Sequence, residues 1–250
     1  MSLTEQQQDA TRCAASMRLL AGLLFTMALS GCLSSTPIVA DDPHVFLPSI
    51  RAAVSLDDDK QPASEPQTGH AIEFEYVRTK GHGEQNLATG QSSVRLNNVV
   101  FLAPQQLKND FNFNFADISF RWRKFFKERS VGLELTAGVG HTSMDLTVAS
   151  PSQRASDHFG NYGPQGGVAL IWRTRPSTSL HARMSGFVSS SDTGIRSFAR
   201  YELFVSQALG DSLALRAGYA KWGIDGDAGV GESNFKSTFS GPMLDLGWNF

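Results

Sequence analysis

The feature that most constrains this chain is a series of segments in which apolar and polar residues alternate strictly. In one of them, Leu133, Leu135, Ala137 and Val139 alternate with polar residues and glycines. A period of two over eight or more residues is typical of a β-strand with one apolar and one polar face. No segment after residue 33 keeps a helical period of 3.6, so we expect an all-β fold.

The alternation predicts strands separated by short and long connections in turn. Each strand is near the 9–11 residues that a tilted strand needs to cross a bilayer. The longer connections are 81–110, 150–163 and 224–238, and short turns opposite longer loops are typical of outer-membrane barrels. We therefore predict an antiparallel transmembrane β-barrel over residues 70–250. Its eight expected strands are 71–80, 111–124, 131–147, 164–174, 178–190, 196–208, 212–223 and 239–250.

Other arrangements fit the same pattern. A ten-stranded count, adding 45–56 and 92–103, keeps the even parity. In the second strand the apolar residues fall on odd positions over 111–115 and on even positions over 118–122. A β-bulge near 116–117 would shift the phase in this way, or else the outer part of that strand stands above the membrane. The alternative to a membrane barrel is a lipid-anchored periplasmic β-barrel or sandwich.

Composition excludes several other classes. The chain has 22 Lys and Arg against 24 Asp and Glu, a net charge of −2, so it lacks the basic excess of a nucleic-acid binder. Its 2 Cys cannot form a disulfide-rich scaffold or a cysteine zinc site. After residue 33 no stretch approaches the 18 or more apolar residues of a membrane helix. We expect no cofactor and no metal.

The N-terminal residues have the layout of an export signal. Arg18 precedes about ten apolar residues and then small ones, so we assign 1–32 as the signal-peptide region, with Met17 as a candidate start. The sequence Leu29-Ser30-Gly31-Cys32 resembles the lipobox of bacterial lipoproteins, which implies acylation of Cys32. The alternative is an ordinary signal-peptidase site beside an unmodified cysteine. Residues 33–69, rich in Ser, Pro, Asp and Gln, are predicted to be a mostly disordered periplasmic tether.

Aromatic residues cluster near both ends of the predicted strands, as in the girdles of membrane barrels. Those near the periplasmic ends are Phe120, Trp122, Trp172 and Trp248, and those near the outer ends are Tyr219 and Trp222. The last strand resembles the C-terminal signature by which outer-membrane barrels are recognised for insertion, through Leu244, Leu246, Trp248 and Phe250. The resemblance implies the barrel-insertion machinery, outer-membrane lipid and lipopolysaccharide as partners, and we expect both termini in the periplasm.

If the apolar positions face lipid, the alternate positions face the lumen. Buried charges there must pair or cost several kcal/mol each, and an eight-stranded barrel has room only for packed side chains. We therefore predict an ion-paired plug, with a gated narrow channel as the alternative. The predicted network comprises five acids and five bases: Glu73, Glu75, Glu134, Glu202, Asp245, Arg121, Arg123, Arg173, Arg183 and Arg216. Over about residues 70–250 this architecture resembles the small eight-stranded surface barrels of Gram-negative bacteria, a resemblance that transfers no site.

One pair of residues is a weak candidate for catalysis. His141 and Ser143 share the outward face of a strand, and a His-x-Ser pair on a small barrel is similar to that of lipid A deacylases. In that family, however, the pair lies near the C-terminus and is followed by Asn, whereas here it lies on the third strand and is followed by Met144. The alternative is that these polar side chains face water, so we do not expect an enzyme. Asp157 and His158 are likewise expected in a solvated loop.

The sequence thus predicts an outer-membrane barrel that acts as a structural or surface-interaction protein through its loops. The second hypothesis is a narrow pore or small-solute channel, and the third is a lipid A deacylase-like hydrolase. The sequence names no ligand.

Overall fold

The computed structural model describes residues 36–57, 68–90, 93–126 and 130–250. In these ranges every regular element is a β-strand, which confirms the all-β prediction. No helix in them is long and apolar enough to cross a membrane. The predicted signal-peptide region and Cys32 lie outside the described residues.

The described residues form twelve strands, numbered in chain order. They are β1 (Ile38–Val39), β2 (Leu47–Ser55), β3 (Gly69–Leu87), β4 (Val94–Leu96), β5 (Val99–Phe101), β6 (Gln105–Phe126), β7 (Val131–Ala149), β8 (Arg154–Arg175), β9 (Thr178–Val188), β10 (Gly194–Ala208), β11 (Leu213–Asp227) and β12 (Asn234–Asn249).

Ten of these strands form one sheet, in the order β1-β12-β11-β10-β9-β8-β7-β6-β3-β2. Neighbours from β2 round to β12 are antiparallel. The sheet partly closes in a ring because β12 also pairs with β2, in parallel, from Met243 opposite Leu47 to Asn249 opposite Ala53. β1 lies beside the start of β12, also in parallel. We call this parallel contact of β1 and β2 with β12 the seam.

The eight predicted strands each overlap one strand of the sheet, but the expected number of eight is wrong. Both additional strands, β1 and β2, come from 33–69, so much of the predicted tether is folded. The alternative count of ten included 45–56, which contains β2, but its other addition does not join the ring. Residues 94–101 form a separate hairpin, β4–β5, instead.

Several strands extend into segments predicted to be loops. β8 begins at Arg154, which reduces the expected long loop 150–163 to a connection of residues 150–153. β3 continues to Leu87, and β6 already begins at Gln105. In each extension some inward side chains are apolar and buried in the interior: Leu87, Leu107, Ala155 and Phe159. The polar outward residues there therefore do not mark a loop.

The phase change in β6 involves no bulge. β6 pairs with β3 and β7 without any shift in register, and its odd positions face the interior throughout. Phe111, Phe113 and Phe115 are buried apolar residues, whereas Asp117, on the same face, is buried and charged. The apparent change of phase is therefore a change in the interior, from apolar to charged.

The two ends of the ring differ. The end with the short connections at 176–177 and 209–212 also holds the C-terminus, and we call it the turn end. The opposite, loop end carries residues 88–90, 93–104, 150–153 and 228–233. Thr36 lies at the loop end, where its N–H donates to Ser93 O at 3.1 Å, whereas Phe250 N donates to Ala53 O at the turn end. Residue 36 and the C-terminus thus lie at opposite ends of the ring.

Candidate functional site

The interior near the turn end contains a connected network of charged side chains. Nine of the ten predicted charges belong to it: eight are buried, and Arg123 is half-buried beside Glu134. They meet because period-two alternation brings every second residue of neighbouring strands to the same face. The buried eight are Glu73, Glu75, Arg121, Glu134, Arg183, Glu202, Arg216 and Asp245.

The centre of this network is Arg51 of β2, which the sequence analysis placed in the tether. Arg51 is 1% exposed. Its Nη2 lies 2.8 Å from Glu75 and 3.1 Å from Glu202, and its Nε lies 3.1 Å from Asp245. The three carboxylates belong to β3, β10 and β12, so one guanidinium joins both neighbours of β2 to a strand farther round the ring.

Arg200 of β10, also missed, makes the second contact across the interior. Its two terminal nitrogens donate to both oxygens of Glu75 at 2.8 Å each, the fork geometry that makes arginine–carboxylate pairs strong. Its guanidinium carbon lies 4.8 Å from the centre of the Trp222 ring. Arg200 therefore lies at the boundary between the charged and the apolar parts of the interior.

Glu134 and Glu73 are paired as well, whereas the buried Asp117 accepts a hydrogen bond from Gln165 and forms no ion pair among the described residues. Glu134 accepts from Arg123 on β6 and, at 2.6 Å, from Arg183 on β9. Glu73 accepts from Arg121 at 2.7 Å. Since a buried charge is tolerated only when it is paired and hydrogen-bonded, these bonds account for a charged interior.

Arg216 and Arg173 define the turn-end margin of the network. Arg216 donates to Asp245 at 2.8 Å, and Gly247 leaves room for it, because a Cβ there would lie 3.0 Å from the guanidinium. Arg173, predicted to be in the network, is half-buried beyond it, where it donates to Arg175 O and Pro176 O.

The interior near the loop end is filled with aromatic side chains. Phe113 packs against Trp222 with ring centres 5.3 Å apart, and Phe115 against Phe198 at 5.0 Å. Trp222, predicted to lie in the outer girdle, is 1% exposed inside the ring. The prediction of an outer-girdle position failed because it followed residue type. By the alternation of β11, Trp222 shares the inward face of Arg216 and Ala220.

The hairpin β4–β5 covers this apolar interior at the loop end. Val94, Leu96 and Phe101 are fully buried in the same apolar cluster. The hairpin turns at Asn97 and Asn98, both with positive φ, which is the type I′ geometry that asparagine tolerates. The Asn-Asn pair between two apolar runs is a turn signal that the sequence analysis did not use.

The outward face of the ring carries large exposed apolar side chains. Phe74, Ile118 and Val139 are register partners on three adjacent strands and are 43%, 57% and 65% exposed. We call the outward set the apolar belt: Ile50, Ile72, Phe74, Ile118, Phe120, Leu135, Val139, Leu170, Trp172, Met184, Tyr201, Leu203, Leu215, Leu244, Leu246 and Trp248. The C-terminal residues predicted as an insertion signature, including Phe250, are all exposed.

The belt ends on β7 where outward polar residues begin. The ring of His141 lies tilted against that of Tyr162, with ring centres 4.3 Å apart, while Ser143 Oγ accepts from Asn114 at 3.3 Å. These contacts do not arrange His141 as a base for Ser143. His158 Nδ1 lies 2.6 Å from Asp145, and among the described residues no group of three metal-ligating side chains occurs.

No known protein family, curated protein or solved structure matches this chain.

Proposed function

We propose that this protein is an outer-membrane β-barrel with a filled interior, acting as a structural or surface-interaction protein through its loop end. The observation that carries the proposal is the reversed distribution of side chains. Charges are buried inside the turn-end half of the ring, while the largest exposed apolar side chains form the belt outside it. In water this arrangement is unfavourable, since it exposes apolar area well beyond the patches usual for soluble monomers.

The dimensions of the belt support a bilayer as its environment. On β7 the exposed apolar residues extend from Val131, just outside the belt as defined, to Val139, about nine residues. A tilted strand crosses a membrane in 9–11 residues. Beyond Val139 the outward residues become polar, as expected where a strand leaves the hydrocarbon region.

The filled interior argues for a structural role over a pore. Ion pairs fill the turn-end half of the interior, and aromatic rings fill the loop-end half. The hairpin β4–β5 covers the loop end. A channel would need a continuous polar path through the ring. In the loop-end half, apolar side chains fill the space where such a path would run.

The first test is heat-modifiability of membrane fractions on a denaturing gel. We expect a faster-migrating unboiled band in the outer-membrane fraction, because a closed β-barrel resists detergent until it is heated. A single unshifted band that separates from the membrane on removal of an N-terminal lipid would contradict the proposal and indicate a tethered periplasmic β domain.

Planar-bilayer recording of the same purified protein tests the filled interior. We expect no discrete conductance steps. Reproducible steps that change when Trp222 is replaced by Ala would overturn the closed interior and support the narrow pore.

A further inference from the structure

Two histidines on neighbouring strands direct a ring nitrogen to the same place on the outward face of the ring, beyond the belt. His141 lies on β7 and His158 on β8. Their Nε2 atoms lie 3.8 Å and 3.7 Å, respectively, from the position that a Cβ of Gly160 would take. Because Gly160 has no side chain, the space above it stays open between the two imidazoles. We call this place the two-histidine site.

The register of β7 and β8 accounts for this convergence. Ser143 lies opposite Gly160 in the antiparallel pair. His141 is two residues to one side of that position on β7, and His158 is two residues to the other side on β8, so the two rings lean toward Gly160 from opposite directions. The ring of Tyr162, the register partner of His141, packs against the imidazole of His141 and supports its position.

The hydrogen bond of His158 to Asp145 gives an independent indication of a metal ligand. His158 Nδ1 lies 2.6 Å from Asp145 Oδ1, and an ionised carboxylate can only accept, so Nδ1 carries the proton. In the neutral ring, Nε2 then presents its lone pair to the two-histidine site. The other carboxylate oxygen, Asp145 Oδ2, accepts from Asn112 at 3.1 Å. A carboxylate that is itself held by a hydrogen bond orients metal-binding histidines in this way.

We propose that the two-histidine site binds a divalent transition-metal ion through the Nε2 atoms of His141 and His158. Imidazole nitrogen suits Zn²⁺, Cu²⁺ and Ni²⁺, whereas Ca²⁺ and Mg²⁺ take oxygen ligands. The side chain of His158 is 66% exposed, so its ring can turn to reach a Zn–N distance of about 2.0–2.1 Å. Since no group of three metal-ligating side chains occurs among the described residues, water or a donor atom of another molecule completes the coordination.

The test is calorimetric titration of Zn²⁺ into the full-length protein, purified without a polyhistidine tag, refolded in detergent and checked for β-structure by circular dichroism. The buffer is held at neutral pH, because only the neutral imidazole binds the ion. We expect saturable binding whose affinity falls at least about tenfold in His141→Asn and in His158→Asn, since loss of a group that merely orients a ligand already costs about 10–100-fold. Both residues are outward and outside the buried ion pairs, so the variants should fold.

Three further variants make the result decisive. His82→Asn removes a histidine that is 84% exposed on β3, away from the site, and should bind Zn²⁺ as the unchanged protein does. Asp145→Ala keeps both histidines but no longer orients His158, and should weaken binding about tenfold. Gly160→Val also keeps both histidines but fills the space between them, and should abolish binding. No Zn²⁺ binding by the folded protein, unchanged affinity in either His141→Asn or His158→Asn, or an equal loss in His82→Asn would overturn the site.

Discussion

Arg51 is the residue on which the interior most depends. It contacts three carboxylates that belong to three strands, and it lies on the strand that closes the ring. Without it, Glu75 would keep Arg200, and Asp245 would keep Arg216, but the three carboxylates would lose their common cation. Arg51 therefore contributes to the packing of the interior, to its charge balance and to the closure of the ring.

Arg51→Ala should destabilise the folded protein by about 3–5 kcal/mol, because removing one partner of a buried ion pair leaves uncompensated charge. The measurement is urea unfolding in lipid vesicles, followed by tryptophan fluorescence. Arg196→Ala is the matched control. Arg196 is 40% exposed and pairs with Asp225 at 3.3 Å, so its loss should cost about 0–1 kcal/mol. Equal effects of the two variants would mean that Arg51 does not act through burial.

At the scale of the element, the strands with a polar inner face were the predictable ones. β9 illustrates this, since Ala182 and Met184 point outward while His181 and Arg183 are buried, just as the alternation indicates. β2 was left out of the eight-stranded prediction, and entered only the ten-stranded alternative, because Pro48 and the acidic residues that follow the strand resemble a linker. Ile50 and Val54 nevertheless alternate with inward residues. Its inward Arg51 gave no signal, because an arginine within a polar stretch is expected in solvent.

The aromatic interior near the loop end could not be predicted from the sequence either. Inward Phe113 and outward Phe120 are the same residue type on one strand, so local sequence does not distinguish core from belt. That distinction depends on Trp222 and Phe239, which come from strands distant along the chain.

Epitope tags can test which end of the ring faces outward. A short tag inserted between Gln153 and Arg154, in the 150–153 connection, should be detected by antibody on intact cells. The same tag between Gly210 and Asp211, in the 209–212 turn, should be detected only after the outer membrane is permeabilised. Both connections are short and exposed, which makes them a matched pair. The reverse result would place the loop end in the periplasm.

At the scale of the whole molecule, the belt determines the environment in which the ring is stable. The register alignment of Phe74, Ile118 and Val139 continues across neighbouring strands, so the apolar surface is contiguous. Contiguous apolar surface is uncommon on soluble monomers, so this surface supports the proposed location in a membrane.

The Leu203→Arg variant tests whether lipid or water surrounds the belt. Leu203 is 56% exposed in the belt on β10. A charge facing lipid near the middle of a bilayer should cost about 2–4 kcal/mol, whereas an exposed surface substitution in water stays within about 0.5 kcal/mol. Urea unfolding in vesicles gives the value. Ser143→Arg, outward but beyond the belt, is the control and should have little effect. A cost below about 0.5 kcal/mol for Leu203→Arg would mean that this face meets water.

The seam has a consequence for the order of folding. Leu47 and Met243 are register partners, nearly two hundred residues apart along the chain. Pairing of such distant segments is slow, because the entropy of closing the intervening chain is lost before the contact forms. Each hairpin from β6 to β12 can form as soon as its second strand is available. β1, however, cannot pair until β12 exists, because β12 is its one neighbour among the described strands of the sheet. The ring therefore closes last, and until then the nascent molecule is an open sheet with two unpaired edges.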